Sequence, residues 1–198
     1  MHPIGDALHA VLLDIDGTLI ESNDAHALAW VGALAAHGYI VTFEQVRRLI
    51  GMRGDKMLPA LVGLDPESGE ADHIGGSRSE QFRHELPGLR PTAGARDLLQ
   101  LLRNEGLELV VATSAEASEV HSILEQAGVA DLIATSASSG DAERSKPDPD
   151  IIQAALHKAG RSSAHAILLG DTAAALAIYD DPADLHRHFS TSPLSVRT

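Results

Sequence analysis

The sequence predicts a doubly wound parallel α/β sheet with an inserted helical cap, and three observations carry that prediction. Short continuous apolar runs occur at AVLLD (10–14), LELVVATS (107–114), LIATS (132–136) and AILLGD (166–171). Parallel strands are buried on both faces and read as runs of this kind. Amphipathic stretches ending in glycine alternate with the later runs, the pattern of a sheet covered by helices on both sides. Finally, the roughly seventy residues from 20 to 90 exceed any ordinary connection and must carry structure of their own.

Each element has a local reason. The first strand ends at Asp14, in VLLDIDGT. The insertion reads as helical: SNDAHALAWVGALAAHG has a cap-like start at Ser22 and a glycine stop, and FEQVRRLIG, GDKMLPALVG and a polar stretch up to His84 follow. Gly75 and Gly76 predict an interruption of the last stretch. Thr92 is the expected cap of TAGARDLLQLLRNEG, which Gly106 stops. EASEVHSILEQAG closes on Gly128 in the same way, and PDPDIIQAALHKAG runs from Pro149 to Gly160. In such sheets ligands sit beyond the carboxyl ends of the strands, where Asp14, Thr113 and Asp171 fall.

At 198 residues and 44% hydrophobic, the chain fills one ordinary core with a modest insertion. Its 28 acidic and 15 basic residues give a net charge of −13, which repels nucleic acid and anionic membranes. An anionic substrate therefore needs local positive charge from a few Lys or Arg residues or from a metal ion. The lack of Cys excludes disulfides, thiolate metal sites and cysteine nucleophiles. MHPIGDALHA shows no basic region followed by an apolar stretch, and no run approaches the ~20 apolar residues of a membrane span, so a soluble cytoplasmic protein is expected.

Asp14 and Asp16 pose the chemical question. If strand geometry persists through them, both face one crevice, and two crowded carboxylates are costly unless a cation or a shared proton relieves them. Mg²⁺ relieves such a pair, commonly using one or two carboxylates with substrate phosphate and water. Carboxylates also serve as phosphoryl-accepting nucleophiles and as general acids. Plainer readings stand beside these. Asp-Gly is a common turn pair, Lys146 precedes a proline in a loop, and His26, Trp30, Arg53 and Lys56 read equally as helix-face, core or solvated residues.

The motifs Asp14-Ile15-Asp16-Gly17-Thr18, Thr113-Ser114, Lys146-Pro147-Asp148-Pro149-Asp150 and Gly170-Asp171-Thr172 follow one another at strand ends. In this the chain resembles the haloacid dehalogenase superfamily, in its phosphatase and β-phosphoglucomutase-like branch, from about residue 10 to 172. The resemblance implies an α/β core over residues 1–20 and 91–198 and a helical cap over 21–90. It implies that Asp14 attacks phosphorus and that Asp16 acts as general acid, then base. Thr113, Ser114 and Lys146 would bind the phosphoryl group, and Asp14, the Asp16 carbonyl and Asp171 would hold Mg²⁺. His26, near the hinge and the general acid, and Arg53 and Lys56, in GMRGDKML, match positions where the cap approaches the substrate.

One departure stands out. The fourth motif of the family carries a second acid after the first, whereas Asp171 is followed by Thr172, Ala173, Ala174 and Ala175. The chain then passes almost directly to AIYDDPADLHRHF, as if an α/β unit of ~30 residues were missing and the C-terminal unit shortened. The resemblance implies a Mg²⁺-dependent phosphatase acting on a small phosphorylated metabolite such as a sugar phosphate or phosphoglycolate, working as a monomer or homodimer. Phosphomutase action, and a phosphate-binding or regulatory module with an impaired catalytic floor, remain the alternatives.

Overall fold

A computed structural model describes residues 8–142, 150–161 and 166–170. Four parallel strands form one sheet in the order β3-β2-β1-β4: β1 (Ala10–Leu13), β2 (Glu108–Ala112), β3 (Thr135–Ala137) and β4 (Ala166–Leu169). In register, Leu13 lies between Val111 and Leu169. Alternate side chains explain the continuous apolar runs. Val11, Leu13, Leu109 and Val111 pack with α5 (Ala95–Asn104) and α6 (Ala117–Gln126), while Leu12, Val110 and Ala112 pack with α7 (Asp150–Lys158). Helices thus cover both faces, as the alternation predicts. The chain leaves β1 toward β2 on one side and reaches β4 on the other, so the end of β1 is the switch point where doubly wound sheets bind ligands.

The segment between β1 and β2 holds four helices: α1 (Asn23–Ala36), α2 (Phe43–Arg47), α3 (Gly54–Val62) and α4 (Gly69–Glu85). They bury a core of their own around Trp30, Leu34, Val46, Met57 and Ile74. The chain enters and leaves this layer along paired backbone. The Glu21 N–H donates to the Arg90 carbonyl at 2.9 Å, and the Thr92 N–H to the Leu19 carbonyl at 3.1 Å.

Four local expectations are corrected. Helix α4 runs unbroken through Gly75 and Gly76, because Ala71, Ile74 and Phe82 anchor it on both sides of them. Helix α5 begins on Gly94, at φ 74°, and not on Thr92, whose N–H is committed to Leu19 and whose carbonyl accepts from Ala95. Strand β3 starts at Thr135, since residues Ala130–Leu132 form a 3₁₀ turn. Ser22 occupies the N-cap of α1 without capping it; its hydroxyl is engaged elsewhere. The glycine stops hold: Gly106, Gly128 and Gly160 have φ of 81°, 69° and 63°, a region that costs other residues strain. No helix among the described residues is long and apolar enough to cross a membrane.

Candidate active site

Strand geometry stops at Leu13, and the two acids part company there. The Asp14 N–H still donates to the Leu169 carbonyl at 3.0 Å, so the first acid is held at the carboxyl end of the central strand, 7% exposed. Its Oδ1 accepts from the Ile15 N–H at 3.0 Å. Beyond it the backbone tightens. Leu19 N–H reaches back to the Ile15 carbonyl at 2.8 Å, and Gly17, at φ 73°, makes the turn.

Asp16 is consequently not left facing Asp14 for relief. Its Oδ1 accepts from the Ser22 hydroxyl at 2.6 Å and from His26 Nε2 at 2.7 Å. Ser22 and His26 stand one turn apart on α1, so a single helix face supplies both donors. Burial pushes the Asp16 pKa up, but the hydrogen bonds from His26 and Ser22 and the Arg78 charge outweigh it and hold the carboxyl below the usual carboxylate range. The protonation pattern of His26 follows from its other nitrogen. Arg78 Nη2 lies 2.6 Å from Nδ1, and a guanidinium can only donate, so Nδ1 presents its lone pair and Nε2 carries the hydrogen. Phe82 stacks on the imidazole with centroids 3.8 Å apart, fixing the ring plane.

A cavity of about 340 Å³ opens between the helical layer and the sheet ends. Asp16, Trp30, Arg53, Gly75, Arg78 and Ser114 are among the residues lining it. Further polar contacts cross this boundary, among them Arg53 Nη1 donating to the Ser139 carbonyl at 3.2 Å and the Ser114 hydroxyl donating to the Gly51 carbonyl at 3.4 Å.

Of the residues singled out in the sequence, Asp14, Asp16, His26, Arg53, Thr113 and Ser114 gather around this end of the sheet. Thr113 is fully buried, its N–H bonded to the Ala137 carbonyl and its Oγ1 accepting from the Ala115 N–H at 3.1 Å. Lys56 sits in the first turn of α3 and is not among the residues lining the cavity. Lys146 and Asp171 lie outside the described residues, as do the shortened C-terminal unit and the altered fourth motif. Gly170 shows why a glycine precedes Asp171: a Cβ there would stand 3.3 Å from the Asp14 Cβ. Sequence reasoning missed Ser22, Arg78 and Glu119. Only Ser22 left a signal, its four-residue spacing from His26; it was read as a helix cap.

Helices on both faces of a parallel sheet, with an acid at the switch point and a helical layer above it, define a doubly wound α/β protein with a covered crevice at its strand ends. The chain belongs to the haloacid dehalogenase-like hydrolases, whose family model matches residues 11–176. Within that family it falls among the phosphoric monoester hydrolases. It is 28% identical to an N-acetylmuramic acid 6-phosphate phosphatase of Pseudomonas aeruginosa over 83% of this chain and 74% of that one. It is also 28% identical to a phosphoglycolate phosphatase of Vibrio cholerae, over 84% and 77%. A crystal structure of a hydrolase from Pseudomonas syringae superposes with a TM-score of 0.84 at 25% identity, covering 92% of this chain and 98% of that one.

Proposed function

We propose that this protein hydrolyses a small phosphate monoester, a sugar phosphate or phosphoglycolate-like compound, through an aspartyl-phosphate on Asp14, with Mg²⁺ as cofactor. The observation that carries the reading is the treatment of Asp16. Two donors occupy its Oδ1, which leaves Oδ2 as the oxygen that carries a proton at the cavity.

The chemistry follows in two halves. The Asp14 carboxylate attacks phosphorus, and the leaving oxygen takes a proton from Asp16 Oδ2. Water then attacks the acyl phosphate and gives a proton back to Asp16, releasing phosphate and regenerating the Asp14 carboxylate and the protonated Asp16. With its pKa held low, Asp16 stands in the basic form suited to the second half. An incoming phosphate dianion raises the proton affinity of a neighbouring carboxylate, which supplies the acid form for the first. Thr113, Ser114 and Lys146 bind the phosphoryl oxygens in this reading. Residues 21–90 act as the cap over a core of residues 1–20 and 91–198, shutting out bulk water.

The donors fit the cation. Asp14 and the Asp16 main-chain carbonyl offer hard oxygens, and Asp171 follows the glycine that packs on Asp14. In this reading Asp171 completes the set. Bound Mg²⁺ would neutralise charge on the transferring group. Relatives named for N-acetylmuramic acid 6-phosphate and phosphoglycolate support a small phosphorylated substrate, and a cavity of about 340 Å³ accommodates either.

The test is p-nitrophenyl phosphate hydrolysis with and without Mg²⁺, for the natural chain and for Asp14→Asn. Turnover that requires Mg²⁺ and vanishes in D14N, with the melting temperature retained, is the expected result. Activity surviving in D14N refutes Asp14 as nucleophile. Thermal stabilisation by Mg²⁺ together with beryllofluoride, absent with either alone, is expected of a working site; no shift at all favours a decayed module.

A further inference from the structure

Arg78 is a buried cation shared between two partners. It stands on α4 in the helical layer, its side chain 13% exposed, while Glu119 stands in the first turn of α6 against the sheet, 8% exposed. Arg78 Nη1 lies 3.4 and 3.3 Å from the two carboxylate oxygens of Glu119, 41 residues away in sequence. Nη2 of the same guanidinium lies 2.6 Å from His26 Nδ1. Trp30 and Phe82 complete the setting, their ring centroids 5.9 and 5.2 Å from the guanidinium carbon.

We propose that Glu119 is a positioning residue for Asp16, acting through Arg78 and His26. The chain of contacts is directional. Glu119 accepts from Nη1 and thereby sets the guanidinium plane. Nη2 then donates to Nδ1 and leaves the imidazole hydrogen on Nε2. That hydrogen goes to Asp16 Oδ1, which leaves Oδ2 clear of both donors on a residue that lines the cavity. Glu119 also keeps Arg78 from a worse partner. A buried guanidinium without a counter-ion turns to the nearest carboxylate, and Asp16 already feels its charge. A direct Arg78 contact with Asp16 would displace the His26 N–H and pin the carboxylate as an ion pair.

The arrangement has a second consequence. Asp16 and Glu119 belong to segments that pack with the sheet, whereas Arg78 arrives on the helical layer. The His26 hydrogen is therefore directed to Asp16 only while the layer sits as described. Moving it away carries Arg78 and His26 together, withdrawing Nη1 from Glu119 and Nε2 from Asp16 Oδ1. Residues on the two sides of the cavity are thereby coupled to one carboxylate.

The inference rests on the reading of Asp16 as the proton-handling residue, and its test separates the two. In the ¹⁵N-labelled full-length chain, at one neutral pH and without substrate, the ring nitrogens of His26 are observed by NMR in the natural chain and in Glu119→Gln and Glu119→Asp. The expected natural spectrum has Nε2 protonated and Nδ1 as acceptor. E119Q removes the charge, and E119D keeps it while withdrawing the carboxylate by one methylene. Both are expected to yield a mixed or exchanging tautomer signal, with kcat for p-nitrophenyl phosphate lowered about tenfold and KM nearly unchanged, a mispositioned general acid being felt in the chemical step. A single Nε2–H form retained in either folded variant overturns the role of Glu119, whatever the activity. Absence of phosphatase activity in the natural chain overturns the proposed function and leaves the tautomer result standing.

Discussion

The Nε2–H of His26 meets Asp16 Oδ1 at 2.7 Å, and the Ser22 hydroxyl meets the same oxygen at 2.6 Å. Two aspartates one residue apart are thus separated by environment. Asp14 stays with the end of β1 and Asp16 is claimed by helix α1, so each has partners of its own. The strand-end acids coexist because the helix that follows them returns to hydrogen-bond the second.

Replacing His26 by Gln tests this division of labour. The amide keeps a donor but loses the aromatic plane on Phe82 and the defined acceptor for Arg78. The expected result is a fall in kcat of about 10²-fold, within the range attributed to a displaced general acid, with the D14N variant still fully inactive. Steady-state kinetics on an aryl phosphate reads it directly; an unchanged kcat contradicts the role given to the ring.

Ser22 and Thr42 occupy equivalent helix-start positions and should behave oppositely. Thr42 forms a complete capping box with Gln45, whereas Ser22 spends its hydroxyl on Asp16. Thr42→Ala is expected to cost about 1 kcal/mol in denaturant unfolding, the usual worth of a cap. Ser22→Ala is expected to lower phosphatase turnover instead, by removing one of the two donors that orient the carboxylate.

Gly75 and Gly76 carry a helix cost that alanine relieves. A Cβ at either position meets nothing within 4 Å, and neither has a positive φ. Each Gly→Ala change should add about 0.5–1 kcal/mol of stability, raising the melting temperature by about 1–4 °C for a chain of this size. A lowered melting point in both variants would show that the turn of α4 between them needs glycine.

Asp141 gives a pH-dependent contribution. Its carboxylate accepts from Lys158 Nζ at 2.8 Å and from the Ser138 N–H at 2.9 Å, and these, led by the Lys158 hydrogen bond, hold its pKa below the usual value against burial. A depressed folded-state pKa stabilises fully above the unfolded value near ~4 and loses that stabilisation as pH falls from there through the lower, folded-state value. The side chain is 28% exposed, so the contribution is about 0.2–1 kcal/mol. Asp141→Asn should narrow the difference in unfolding free energy between about pH 6 and about pH 3. An identical difference in both proteins removes Asp141 from the account.

Much of this fold is legible along the chain because it is written in short-range terms. Leu12 and Leu13 sit in an apolar run that only a strand covered on both faces uses, and Gly106, Gly128 and Gly160 stop helices where a left-handed residue is required. Asp14, Asp16 and Thr113 are recognisable since a doubly wound sheet presents its strand ends to one crevice. Gly75 and Gly76 mislead for the complementary reason: propensity is worth about 1 kcal/mol per residue, and the buried anchors Ile74 and Phe82 outweigh it.

What the sequence determined by itself is the order of strands and helices and the acids at the strand ends, because periodicity and glycine conformation act between near neighbours. What only the tertiary structure decided is the partnership of Asp16 with Ser22 and His26, and of His26 with Arg78 and Glu119. Nothing in the local pattern of α4 or α6 says which of their charges will meet. That is settled when the helical layer docks on the sheet and each buried charge must find a partner or bear the cost of leaving water.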